Sequence, residues 1–413
     1  MVEHFHGKEG VAGSSPAPGF WLTGTAASLV WRAVDFKLTD EQRDFVSAIR
    51  DFCERECGTQ EKREQLTEHH SIQHNAELYR KIAELGWLGV TIPEEYGGSG
   101  GTMLDACLFM EETSHGLAPI GGYATTLIVA GATRRFGSED QKERILGEIS
   151  KGSVEAIAMT EPESGSDVGS LSTEAVRSNG GFVINGQKVF ISNAHISDHV
   201  LVVCRTTKGA NKHEGLSMIF VPAGTPGMEM KPIDTMGGRE TNTVYFNDCE
   251  IPTEQVLGEI DQGWTQLMAG LNTERLILAA TMLGIGQRAF DDALAYAKER
   301  KQFGRPIGSF QALQHRFADL ATDLEAARLM TWWVASLNDQ DPDRMLPKEA
   351  SMVKLFVTET AQRVALEGMQ MMGGYGYSSE YDMERLVRAT LVSTIYGGTS
   401  EIQRGIIAKT LGL

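Results

Sequence analysis

Apolar positions along this 413-residue chain change their period twice. From Thr39 the stretch TDEQ offers a capping box, and Phe45, Val46, Ile49, Phe52 and Cys53 then recur at the spacing of one helical face. AELYRKIAELGWLG, TMLDACLFMEETSHGL, YATTLIVAGATRRFG and SEDQKERILGEISKG carry that pattern to about residue 153, which predicts an all-helical first third. Then the runs shorten. EAIAMTE, GGFVINGQKVFISN, HVLVVCRTT, LSMIFVPAG and TNTVYFNDCEI are β-branched or aromatic stretches split by Asn-Gly, Gly-Gly and Pro-Gly, the marks of strands and hairpins. From Gly263 the helical period returns without a break to the Phe-Gly at 303–304, far beyond a mean helix of about 11–12 residues. Two more long helical stretches follow, and long helices joined by short loops pack antiparallel. The expected fold class is α+β and multidomain: a helical domain over 34–153, a β domain over 154–260 and a helical bundle over 261–413.

Composition narrows what such a chain can do. A net charge of -17 repels phosphate backbones and argues against a nucleic-acid partner. The longest apolar run, LILAATMLGIG at 276–286, is short of the roughly 20 residues a membrane span needs. Cys53, Cys57, Cys107, Cys204 and Cys249 are too scattered for a disulfide framework and suit a reducing cytoplasm, with the mitochondrial matrix as the alternative in a eukaryote. Residues 1–33 lack the basic start of a secretory signal and the arginine richness of a transit peptide. They are expected to be a tail, either an upstream extension of the reading frame or an expression artefact.

Three local patterns bear on chemistry. GIGQRA matches a dinucleotide fingerprint through Gly284, Gly286 and Ala289, but no strand precedes it, so close helix packing explains the glycines better. His69, His70 and His74 cluster without the acidic companions of a metal site and read as a solvated polar face. AMTEPESGSDVGS, 158–170, runs from a strand end into small hydroxylated residues whose N–H groups can meet phosphate oxygens or a polar ring edge. By itself it could equally be a polar turn.

Its companions are INGQKVFISN (184–193), ERKQFGRPIGSFQALQ (299–314), GMQMMGGYGY (368–377) and TIYGGTSEIQR (394–404). In this order, on a helix, β, helix plan, they resemble the acyl-CoA dehydrogenase family across nearly all of 34–413. The resemblance implies a β-barrel-like middle domain, a C-terminal four-helix bundle and FAD held between domains in a homotetramer, a dimer of dimers. It implies flavin contacts at Ile157, Met159, Thr160, Gly165, Ser166, Phe190, Ile191 and Ser192, where many relatives have tryptophan in place of Phe190. Arg300, Gln311, Gln370, Gly373 and Gly374 resemble a set that reaches FAD across a subunit interface, and Thr399 and Glu401 look like further neighbours. An arginine fork suits a pyrophosphate, and glycine lets backbone come close. Substrate contacts carried over are Ser166, Asn272, Arg275, Tyr396, Gly397 and Gly398.

One departure matters for catalysis. Many relatives carry the catalytic glutamate directly after the tyrosine of the TIYGG turn, and here that position is Gly397. Isovaleryl-CoA and long-chain acyl-CoA dehydrogenases carry it on the long helix instead, within an ERL segment, and NTERLILAA offers Glu274. By that resemblance Glu274 removes the α-proton of an acyl-CoA, the β-hydride goes to the flavin, and electrons pass to an electron-transfer flavoprotein. An acyl-CoA oxidase that uses oxygen, or a non-catalytic flavin-binding or acyl-CoA-binding homologue, are the competing expectations.

Overall fold

The computed structural model describes residues 37–413, so the expected tail over 1–33 lies outside them. Helices α1 (Asp40–Cys57), α2 (Gln60–Leu66), α3 (Ala76–Glu84), α4 (Met103–His115), α5 (Gly122–Phe136), α6 (Glu139–Gln141) and α7 (Gly147–Ser150) come first. The capping box read at Thr39 is made: its hydroxyl accepts from the Gln42 N–H while the Gln42 side chain accepts from the Thr39 N–H. Next come β1 (Glu155–Ala158), β2 (Glu174–Ser178), β3 (Gly181–Ser192), β4 (His199–Arg205), β5 (Leu216–Pro222), β6 (Met228–Thr235), β7 (Gly238–Pro252) and β8 (Val256–Leu257). The chain then returns to helix in α8 (Gly263–Glu299), passes a small hairpin of β9 (Lys301–Gln302) and β10 (Arg305–Pro306), and ends in α9 (Gln311–Gln340), α10 (Pro347–Met372), α11 (Gly374–Tyr377), α12 (Met383–Leu391) and α13 (Ser400–Thr410). The α+β, helix, β, helix class expected from the pattern is the class observed.

The sheet runs β6-β7-β3-β2-β4-β5-β8, with β1 parallel to β4. Neighbours are otherwise antiparallel except where β2 meets β4 through one bridge, Glu174 with Arg205. In β4 and β5 the two-residue period sorts side chains between two cores. Val200, Val202, Ile219 and Val221 face the interior of the β layer, while Leu201, Val203, Met218 and Phe220 join Val129, Ile145, Leu146 and Ile149 from the preceding helices. Being covered on both faces, these strands are apolar at nearly every position.

Helix α8 spans 37 residues, about 55 Å at 1.5 Å per residue. A Cβ at Gly263 would fall 2.8 Å from the Leu216 backbone, one at Gly284 2.1 Å from the Glu111 carbonyl, and one at Gly286 3.2 Å from Ala361. The glycines of the GIGQRA pattern are therefore points where α4 and α10 press against α8, as its lack of a preceding strand implied. Helices from before and after the sheet also share one apolar core, in which Ile49, Phe52 and Phe109 join Leu276, Leu283, Val357 and Val364. No helix among the described residues is long and apolar enough to cross a membrane.

Candidate active site

Asn272, Glu274 and Arg275 lie within one turn of α8, and all three are buried, Glu274 to 6% exposure. Burying polar groups is costly unless they are paired. Yet Glu274 Oε2, Arg275 Nε and Asn272 Oδ1 have no hydrogen-bond partner among the described residues. Only the Asn272 amide reaches out, to Met345 Sδ at 3.7 Å. Burial pushes the Glu274 carboxyl above its ordinary pKa, with Arg275 and Lys354 pulling it back. Burial likewise lowers the Arg275 guanidinium, opposed by Glu274.

The turn before α13 meets this carboxylate. Gly397 and Gly398 adopt φ values of 59° and 83°, which glycine takes without strain. A Cβ at Gly397 would lie 2.6 Å from Leu278 Cδ1, 3.6 Å from Glu274 Oε1 and 4.0 Å from Lys354 Cε. The α8 carboxylate thus borders the space a side chain at 397 would enter. Gln403 Nε2 donates to the Gly397 and Gly398 carbonyls at 2.9 and 3.0 Å, and Lys354 Nζ donates to the Gly398 carbonyl at 2.8 Å. No acceptor for the Gly397 N–H occurs among the described residues. Tyr396 is half-buried beside them, with Lys354 Nζ 5.9 Å from its ring centre.

Lys354 is the residue sequence reasoning missed. It is fully buried, and burial brings it down to about 8, a fall that Glu274 opposes and Arg275 reinforces. A signal existed. Ala350, Val353, Val357, Ala361, Val364 and Ala365 mark the inward stripe of α10, and Lys354 interrupts it at a position where that spacing demands an apolar side chain.

A second cluster gathers on the β layer. Met159 and Thr160 leave β1 and are tied to β3 through Lys188 Nζ to the Met159 carbonyl (3.0 Å) and the Val189 N–H to the Thr160 carbonyl (2.9 Å). Lys188 is fully buried and paired with Glu161 at 2.8 Å, another contact that no sequence pattern singles out. The β3–β7 register breaks between Lys188 and Ile191, and Phe190 sits in that bulge at φ 58° with 63% of its surface exposed. Left-handed backbone at a bulky residue costs about 1–3 kcal/mol and is found where the conformation serves a site. Ile191 points the other way, into the β core, so only its backbone remains available to a cofactor. Ile157 and Met159 are partly buried against the neighbouring core, and Ser192 is half-buried at the end of β3. A Cβ at Gly165 would meet nothing within 4 Å, and Ser166 beside it is exposed, with no partner for its N–H or hydroxyl among the described residues.

A third group lines a cavity of about 490 Å³ with Arg300, Gly373, Gly374 and Tyr375. The Arg300 guanidinium lies over the Tyr375 ring, 5.5 Å from its centre, and has no carboxylate partner among the described residues. Gly373 and Gly374 have open space where a Cβ would stand. Gln311 and Gln370 are exposed and do not line the cavity, and neither does any residue of the Phe190 cluster. Thr399 caps α13 by accepting from the Ile402 N–H at 3.3 Å. Glu401 is held below the usual carboxylate range by its own backbone N–H and the Thr399 hydroxyl. These features fit a flavin dinucleotide: an outward aromatic face at a strand bulge for a planar ring, and an arginine without a carboxylate partner among the described residues beside open glycines for phosphates.

Comparison with known proteins agrees. Family models for the acyl-CoA dehydrogenase N-terminal, middle and C-terminal domains match residues 39–153, 156–249 and 261–412. YngJ of Bacillus subtilis, described as a probable acyl-CoA dehydrogenase, is 38% identical over 384 residues, covering 92% of this chain and 100% of that one. The caffeyl-CoA reductase-Etf complex subunit CarC of Acetobacterium woodii is 37% identical over 380 residues, with 90% and 98% covered. The crystal structure of an acyl-CoA dehydrogenase from Geobacillus kaustophilus superposes with a TM-score of 0.85 at 32% identity, over 92% of this chain and 100% of that one.

Proposed function

Since the chain belongs to the acyl-CoA dehydrogenase family of FAD-binding oxidoreductases acting on CH–CH bonds, we propose that it dehydrogenates an acyl-CoA thioester to the trans-2-enoyl-CoA with Glu274 as base. The observation that carries this reading is the Glu274 carboxylate bordering, at 3.6 Å, the point a Cβ of residue 397 would occupy. A base supplied by α8 serves the substrate position that a residue at 397 would otherwise serve. An α-proton of a thioester is weakly acidic, so its removal needs a carboxylate of raised basicity, and burial gives Glu274 that character. The Gly397 N–H, lacking a protein acceptor, is the donor for the thioester oxygen as negative charge grows there, a contact worth roughly 3 kcal/mol. Arg275 sits beside the carboxylate and orients it, and Asn272, Tyr396, Gly398 and Ser166 complete the substrate contacts.

When bound, FAD supplies the acceptor for the β-hydride. Ile157, Met159, Thr160, Phe190 and Ser192 would hold its ring, Gly165 and Ser166 its phosphates, and Arg300, Gln311, Gln370, Gly373 and Gly374 would reach it from a neighbouring subunit of a homotetramer. Thr399 and Glu401 lie near the same cofactor. Electrons then pass to an electron-transfer flavoprotein. The likeness to CarC, a subunit of a caffeyl-CoA reductase-Etf complex, supports a second reading, in which the same residues work on an enoyl-CoA in the reductive direction and Glu274 returns the proton.

Anaerobic mixing with acyl-CoAs of graded length and branching, followed by flavin bleaching, tests the proposal. Glu274→Gln is expected to keep FAD and ligand binding while bleaching slows by about 10²–10⁴. Near-normal bleaching in that variant overturns the assignment of the base. Reduced protein that reoxidises slowly in air but rapidly with an electron-transfer flavoprotein supports a dehydrogenase, whereas rapid peroxide formation identifies an oxidase.

A further inference from the structure

Beneath the active-site turn lies a charge for which the proposed reaction has as yet no use. Lys354 is fully buried on α10, and no carboxylate lies within ion-pair distance of it among the described residues. Its ammonium has three donors and, among the described residues, one acceptor, the Gly398 carbonyl. That carbonyl is already satisfied by Gln403, which also holds the Gly397 carbonyl from a fully buried position. Fixing the turn therefore does not require a cation at this place. A buried, underbonded ammonium is costly unless something compensates it. The Glu274 carboxylate borders the same space, because Lys354 Cε and Glu274 Oε1 lie 4.0 and 3.6 Å from one common point, the site of a Cβ on residue 397.

We infer that Lys354 is a positioning residue for the proposed reaction: from beneath the 396–398 turn, where it donates to the Gly398 carbonyl, its positive charge keeps the buried Glu274 carboxylate available as a base. The inference rests on the reading of Glu274 as the base. Burial alone favours the protonated, inactive carboxyl, and Lys354 with Arg275 moderates that preference. The other groups facing Lys354 are the Tyr396 ring from the turn, Glu359 further along α10 and Glu401 at the start of α13. Placing the cation under the turn rather than in direct contact with the carboxylate leaves Glu274 Oε2 unpaired for substrate. A direct salt bridge would tie up that lone pair and weaken the base.

The test reads the titration of Glu274 apart from turnover. In the FAD-loaded protein, the carboxyl infrared band that Glu274→Gln removes is followed against pH. In Lys354→Met its midpoint is expected to move to higher pH, and the pH profile of flavin reduction to move with it. Lys354→Arg is expected to return both toward the wild-type position. An unchanged or lowered midpoint in Lys354→Met overturns the inference.

Linkage supplies a reciprocal measurement that needs no change at Lys354. With ε-13C-labelled lysine, Glu274→Gln is expected to lower the Lys354 midpoint, and no movement there also overturns the inference, even if Lys354→Met fails to fold. The two readings fail separately. Normal bleaching in Glu274→Gln refutes the base without touching the coupling, whereas lost bleaching with unmoved midpoints refutes the coupling and leaves the base.

Discussion

Glu274 has an ordinary residue type in an extraordinary place, and its behaviour with pH follows from that. Its folded pKa is raised by burial, so the folded state binds its proton more tightly than the unfolded chain does. Stability from this group is fully present in acid and is lost as pH rises through the raised folded value. Glu274→Gln should therefore gain thermal stability over the wild type more at near-neutral than at acid pH, as scanning calorimetry would reveal; a gain independent of pH would contradict the shift. Under the proposed role of Glu274 as base, activity is expected to run the other way, with flavin reduction rising with pH as the carboxylate ionises. Gly397 is constrained in a different manner. A side chain there would face both a left-handed backbone and Leu278 Cδ1 at 2.6 Å. Gly397→Ala is expected to cost about 1–3 kcal/mol in urea unfolding and to slow flavin bleaching, because the turn carrying the N–H must shift.

At the scale of elements, β3 and the loop after β1 act as one unit because of a buried pair. Glu161 is half of it: burial opposes its ionisation, but Lys188 and donors from Thr173 and Ser172 outweigh burial and hold it down to about 2. That depressed value means a contribution present above the unfolded carboxylate pKa and lost as pH falls toward about 2. Lys188→Met leaves an uncompensated carboxylate and is expected to destabilise by about 3–5 kcal/mol near neutral pH. The deficit should shrink in acid, where Glu161 is protonated. The same variant frees the Met159 carbonyl and should weaken FAD retention. Little of this unit was legible beforehand. The INGQKVFISN pattern predicted a strand correctly, but a bulge that turns Phe190 outward depends on two-against-one pairing with β7, and sequence alternation does not encode a partner's register.

The whole molecule joins distant segments through α8, which runs from β5 past α4 to α10 and ends at Arg300. One end of this helix belongs to the proposed base and the other to the proposed phosphate site, so a single rigid element sets the spacing of both. If Arg300 reaches FAD in a second subunit, cofactor retention and assembly are linked. Sedimentation should then give a tetramer for the loaded protein, and Arg300→Ala should lose flavin on gel filtration; full retention would exclude the role. The same scale explains a limit of pattern reading. Three successive segments were legible as helical, β and helical, but helices that precede the sheet in the chain and helices that follow it fill one core, a contact between residues far apart in sequence.

The order of elements, the capping box at Thr39, the close-packing role of Gly284 and Gly286 and the five family-like motifs all lie in the sequence, because period, caps and steric size are local properties of a chain. The candidate base is reached through the family resemblance, which leads from the glycines of the TIYGG turn to the glutamate of NTERLILAA. Tertiary structure decided that the Glu274 carboxylate borders position 397, that Lys354 stands beneath them and that Phe190 faces outward while Ile191 does not. Those are relations between segments from 44 to 123 residues apart, fixed only when the helices and strands pack.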